Sequence, residues 1–174
     1  MLERGREVIA SAGRRPGIIF YNEEQTEAGG LVFAGNRGAN GSVSAGGSLA
    51  FDQYERDQTL GLQYLDQRGR KRAGLYAADY PGALSTGTLD AVWRAARQIA
   101  DTARRRDSLM KLDQLYGPRT RLYAGRLENR SSQMKLSDAF GRERLRLVVD
   151  SAGSARIEFL NDAGKVVRTI TSVP

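Results

Sequence analysis

The residues best equipped for chemistry sit in one short stretch, GGSLAFDQYERDQ, where Asp52, Glu55 and Asp57 are joined by Tyr54 and Arg56. On an extended strand side chains alternate, so Asp52, Tyr54 and Arg56 share one face while Glu55 and Asp57 share the other. Carboxylates two positions apart lie roughly 6–7 Å from each other along a strand, a spacing that suits the acid and base of glycoside chemistry. Arg56 stands between Glu55 and Asp57, however, and the segment offers no apolar pocket residue to raise a carboxyl pKa. A hard cation wants six to eight oxygens, which three side chains only begin to supply. The stretch therefore reads as a polar strand end entering a hairpin, usable as a partner or ligand surface. No catalytic, cofactor-binding or metal-ligating residue is assigned. The run Asn22-Glu23-Glu24-Gln25-Thr26-Glu27 reads in the same way, as an exposed hairpin turn.

Composition narrows the chemistry further. The 174 residues include no cysteine and no histidine. That excludes the usual Cys/His zinc sites, cysteine nucleophiles, disulfides and any imidazole base. The balance leans away from an enzyme. The net charge of +7 is uneven: residues 1–87 carry ten basic and ten acidic side chains, residues 88–174 seventeen and ten. A basic half invites polyanions such as nucleic acid or anionic lipid. Arg70 and Arg72, and likewise Arg142, Arg144 and Arg146, line one face of their strands and are the candidates for such a surface. Their alternation without interleaved aromatics argues against nucleic acid and favours solvent faces where they pair with carboxylates or blunt a sheet edge.

The elements that position these residues follow from a recurring phrase. A few alternating apolar residues lead to Asp or Asn, then two spacers, then Gly, as at Asp66/Gly69, Asp138/Gly141, Asp150/Gly153 and Asn161/Gly164, with a looser version at Asn22. Asp or Asn accepts hydrogen bonds from amides just beyond it, and the Gly adopts the positive φ that returns the chain to the ladder. Each phrase is a β-hairpin with one apolar face. Strands are expected over Ile18–Asn22, Leu31–Ala34, Ser48–Gln53, Thr59–Leu65, Ala73–Ala77 and from about Ser132 to Ile170. The Gly-rich run from Ala34 to Gly47 reads as a flexible hairpin tip, because no Lys-Ser/Thr ending or following helix supports a phosphate loop.

One segment breaks the pattern. Leu89, Val92, Trp93, Ala96, Ile99 and Ala103 recur at helical spacing, and Leu109, Leu112 and Leu115 continue the stripe to Gly117-Pro118. A helix or helical hairpin over 86–117 is expected, capped by Thr86 or Thr88 and interrupted, if anywhere, near Arg104–Ser108. Trp93 reads as an anchor against the sheet. The chain is thus expected to be one mainly-β domain, 1–174. Residues 1–85 supply N-terminal hairpins and 118–174 a C-terminal antiparallel meander, arranged as a sandwich or barrel-like sheet or as part of an oligomer. Near the start, ERGREVIAS looks like the outgoing half of a hairpin over Glu7–Ala10, so the natural chain is expected to extend upstream. No apolar run approaches the roughly 18 residues of a bilayer span, and Met1–Gly5 lacks a signal-peptide core.

Four pieces, RRPGIIFYNEEQTEAGGLVFAG, GGSLAFDQYERDQTLGLQYLDQRGRKRAGL, RLYAGR and GRERLRLVVDSAGSARIEFLNDAGKVV, together resemble a group of uncharacterised bacterial proteins that are secreted or tethered by an N-terminal membrane helix. The resemblance implies a cell-envelope, extracytoplasmic location and an upstream membrane tether, and carries no activity. The expected function is accordingly a non-enzymatic structural or interaction protein, with self-association through open sheet edges. Polyanion binding by the basic half and a carboxylate hydrolase at Asp52, Glu55 or Asp57 stand as alternatives.

Overall fold

The computed structural model describes residues 16–82 and 84–171. Five strands come first: β1 (Gly17–Tyr21), β2 (Glu27–Arg37), β3 (Val43–Asp52), β4 (Gln58–Gln67) and β5 (Arg70–Asp79). Helices α1 (Thr86–Arg97) and α2 (Thr102–Tyr116) follow, then β6 (Arg119–Arg126), β7 (Ser132–Ser137), β8 (Glu143–Val149), β9 (Ala155–Leu160) and β10 (Val166–Thr171). The ten strands form a single antiparallel sheet in chain order, each paired with its sequence neighbours. The molecule is therefore mainly β, as the hairpin grammar predicts. Of the arrangements left open by sequence it takes none that closes: the sheet is an open layer, with β1 and β10 at its two edges.

The turns behave as their side chains dictate. Asn161 Oδ1 accepts the amides of Ala163 and Lys165, each at 3.0 Å, while Gly164 turns at φ 72°. Asp138 and Asp150 repeat this geometry with Gly141 and Gly153, and Asn22 does so with Gln25 at φ 63° in place of Gly. Asp66 serves a tighter turn, accepting the Gly69 amide at 2.9 Å while Arg68 and Gly69 both take positive φ, the two-residue geometry that matches strand twist.

Four expectations are corrected. The Gly-rich run is mostly strand: β2 extends to Arg37 and β3 begins at Val43, because Ala34, Gly35, Gly46 and Gly47 pair across the ladder. The helical break falls at residues 98–101, earlier than expected, where Asp101 caps α2 by accepting the Arg104 amide at 2.7 Å. Ser85, not a threonine, is the N-cap position of α1. Trp93 does not anchor the insert to the sheet. The helices make their main contacts with each other, and Trp93 is half-buried with the Arg97 guanidinium 5.9 Å from its ring. The strand expected at Glu7–Ala10 lies outside the described residues.

Register decides how the two faces are composed, since directly paired residues project to the same side. One row across all ten strands reads Ile18, Leu31, Leu49, Leu62, Leu75, Ala124, Met134, Leu147, Ile157, Ile170. The parallel row on the same side reads Phe20, Gly29, Phe51, Leu60, Ala77, Leu122, Leu136, Leu145, Phe159, Arg168. Charge enters these two rows only at Arg168. The opposite face is polar and self-covering. Tyr76 lies over Gly61 and Tyr123 over Gly74, so that a Cβ on either glycine would meet a ring at 2.6 or 2.9 Å. Beyond them Lys135, Arg146, Glu158 and Arg156 form a ladder with Glu143 and Asp150.

Burial follows the opposite logic from an ordinary sheet. The buried apolar side chains among the described residues are Ala50, Ala78, Ala96, Val148 and Leu160, and none belongs to the two apolar rows. Leu62, Phe51 and Phe20 are each 52% exposed. If the Asx turns set the register, Asn161→Ala should cost about 1 kcal/mol, while Asn161→Asp, which keeps the acceptor, should be near neutral. Urea unfolding of the two variants checks this.

Candidate functional site

The Asp52–Asp57 stretch is not a strand with two faces. β3 ends at Asp52, and residues 53–57 form the β3–β4 turn, with the Arg56 amide bonded to the Gln53 carbonyl at 2.8 Å and Glu55 at φ 50°. The face assignment expected from alternation therefore fails, because the backbone reverses within it. What the turn brings together is different and more specific. Arg56, expected on the surface, is 8% exposed. Its guanidinium donates to the carbonyls of Leu84 at 2.7 Å, Pro81 at 2.9 Å and Tyr116 at 3.4 Å, and lies 5.5 Å from the centre of the Tyr80 ring. Those carbonyls lie at the entrance and the exit of the helical insert. A planar fork of donors suits three divergent carbonyls, and its charge complements the negative end of α2.

Two further arginines complete the base of the insert. Arg119 donates to the carbonyls of Gly117 at 3.0 Å and Asp113 at 3.2 Å, and also to Gln114. Arg121 pairs with Asp79 across the start of β6 and the end of β5. The insert is thus held by Arg56 from the β3–β4 turn and Arg119 from the start of β6, while the Arg121–Asp79 pair joins the two strands between which it is inserted.

The carboxylates of the stretch separate in role. Asp52 sits at the polar-face end of β3, and burial, reinforced by the charges of Glu27 and Asp57, pushes its carboxyl up to about 6. Its Oδ1 is buried without a hydrogen-bond partner. Asp57 accepts the amide of Gln58 at 2.8 Å. Gln58 in turn receives the Tyr76 hydroxyl at 3.1 Å and, on its carbonyl, that of Tyr80 at 3.3 Å. The Tyr80 hydroxyl is pushed up to about 12, mainly by burial. Tyr54 is 60% exposed and donates to Glu24, linking the β1–β2 and β3–β4 turns. Glu55 is exposed at the tip of the turn. Among the described residues no group of three or more Asp or Glu is placed to hold a metal ion.

The arginines expected as a basic surface are largely neutralised. Arg142 pairs with Asp138 at 2.8 Å and Asp162 at 3.4 Å, Arg144 with Asp162, and Arg146 with Glu143 and, at 3.1 Å, with Glu158. Arg70 stands 3.7 Å from Glu128, and Arg72 donates to Gln63 at 3.2 Å. Most of these pairs are exposed, so each contributes little to stability. Their effect is to leave the polar face with balanced charge.

The surface that sequence reasoning missed is the apolar face. It holds a recess of about 830 Å³ lined by Phe33, Leu49, Leu62, Tyr64, Leu75 and Ala124. A second, of about 630 Å³, is lined by Ala124, Met134, Leu147, Val149, Ile157 and Ile170. The two flank the same strand, β6, and neither contains a carboxylate. The signal was present as strand alternation, but only the register converts separate stripes into one surface. No protein-family model matches the chain, and a search of curated proteins finds no match to it.

Two outcomes follow. Arg56→Met should lower stability by about 2–3 kcal/mol, and Arg56→Lys should recover little of it, since three carbonyls need the fork; hydrogen exchange should show the loss concentrated at residues 81–117. Asp52 carries the opposite sign from a paired carboxylate. Its folded pKa is raised, so folding favours the protonated form, and stability falls as pH rises from about 4 to about 6. Asp52→Asn should raise stability at pH 7 by about 1 kcal/mol after allowance for solvent screening, read as a higher Tm, with no gain at pH 3.

Proposed function

We propose that this chain is a non-enzymatic interaction module of the cell envelope whose working surface is the uncovered apolar face of its sheet. The observation that carries the reading is the continuity of that face. Two rows cross all ten strands with a single charged residue, and their side chains are half-exposed rather than packed. Contiguous apolar surface on this scale marks an interaction site. The envelope location rests on the resemblance of the hairpin pieces to secreted or membrane-tethered bacterial proteins. The titratable groups support no reaction. Asp52 has a raised pKa, but its neighbours are further carboxylates and tyrosines, with no nucleophile beside it. Of the arginines that would bind a polyanion, Arg70, Arg142, Arg144 and Arg146 are matched with Asp or Glu, and Arg72 with Gln63.

The cysteine-free sequence makes a direct test available. Leu62 points to the apolar side and its neighbour Gln63 to the polar side. In intact cells producing Leu62→Cys or Gln63→Cys, a maleimide probe should label position 63 several-fold faster than position 62. Equal labelling would contradict the reading. So would turnover of any substrate that is abolished by Asp52→Asn.

A further inference from the structure

We infer that the occupant of the apolar face is a second copy of this chain, packed face to face so that two open layers become one sandwich. The inference rests on the reading of that face as the working surface and adds the identity of the partner.

The first argument is area. Ten strands at about 4.8 Å spacing and three rows of side chains at about 6.8 Å give a footprint of about 1,000 Å². Pairing two copies buries about 2,000 Å², the range of permanent homodimers. Sheet twist limits how many strands meet. Contact over only six strands still buries about 1,200 Å², the lower bound of specific interfaces. A single extended apolar ligand or one docked helix covers only a strip of this surface.

The second argument is relief. Large and small side chains alternate across the face, with Leu75 between Ala73 and Ala77 on β5 and Leu122 beside Ala124 on β6. A two-fold relation lets the large residues of one copy, Leu62 and Met134 among them, meet the small ones of the other, the alternation that fills a core. The third argument is charge. The two continuous rows carry no hydrogen-bonding or charged side chain besides Arg168, so their centre offers nothing to read a polar partner. Arg126, opposite Ala73 in the third row, and Arg168, at the edge strand and 5.9 Å from the Phe159 ring, would need to stay at the rim.

Sedimentation equilibrium of the purified full chain tests this. The chain should be dimeric at micromolar concentration. Leu62→Glu, which places a charge in the centre of the face, should weaken association by about a hundredfold or more. Gln63→Glu, on the other face, should leave it unchanged. Should Leu62→Glu fail to fold by circular dichroism, the thiol of Leu62→Cys decides instead, being shielded in concentrated protein and reactive on dilution below the dissociation constant. A dimer that survives Leu62→Glu with its circular dichroism intact would place association at the strand edges and overturn the inference. A monomer whose Leu62→Cys thiol reacts freely when purified yet is shielded in cells would also overturn it while sparing the working-surface reading. A monomer labelled equally in both settings would end both.

Discussion

A single β-sheet cannot hide its own apolar side. A layer has two faces, and its side chains stand perpendicular to it, so whatever is apolar on one face must be buried against another layer. Among the described residues no second layer covers the sheet, and the helical insert makes its main contacts with itself. The other features of the molecule follow from that constraint. The polar face is closed by long side chains in place of a core, with tyrosine rings over glycines and arginines threaded between glutamates. The buried apolar residues are small or peripheral, and none stands in the two continuous apolar rows.

The role of the charged turn changes accordingly. Asp52–Asp57 gathers more charge than the other turns, yet its principal contact is mechanical. Arg56 reaches from one hairpin to the carbonyls that begin and end the insert, so the most charged turn is also an attachment point between the sheet and the helices. Asp52 beside it carries a cost that is fully present above about pH 6, because burial and the charges of Glu27 and Asp57 disfavour its ionised form.

Much of the fold was legible because it is local. An Asp or Asn that accepts amides two and four residues ahead, followed by Gly at positive φ, fixes a hairpin within five residues, as at Asp138, Asp150 and Asn161. Asn22, with Gln25 in place of Gly, and Asp66, in a tighter turn, are variants of the same local signal. The helical insert was legible for the same reason, from spacing within one segment. What escaped was non-local. Arg56 meets partners 25 to 60 residues away, and nothing in its own hairpin distinguishes it from a solvent arginine. The apolar surface was hidden in the same way: each strand shows only two or three apolar positions, and only the register aligns Leu31 with Leu49, Leu62, Leu75 and Ala124. The Gly-rich run misled because glycines that read as a loop are strand residues lying against Phe33 and Leu65.

The account's central claim is that a second copy of the chain covers the apolar face. Small-angle X-ray scattering of the purified chain tests it most directly, because it reports particle mass and thickness together. Covering by a second copy predicts twice the mass of one chain and a cross-section two sheets thick, with layers about 10 Å apart. A monodisperse particle of single-chain mass and single-layer thickness, stable at high concentration, would contradict it.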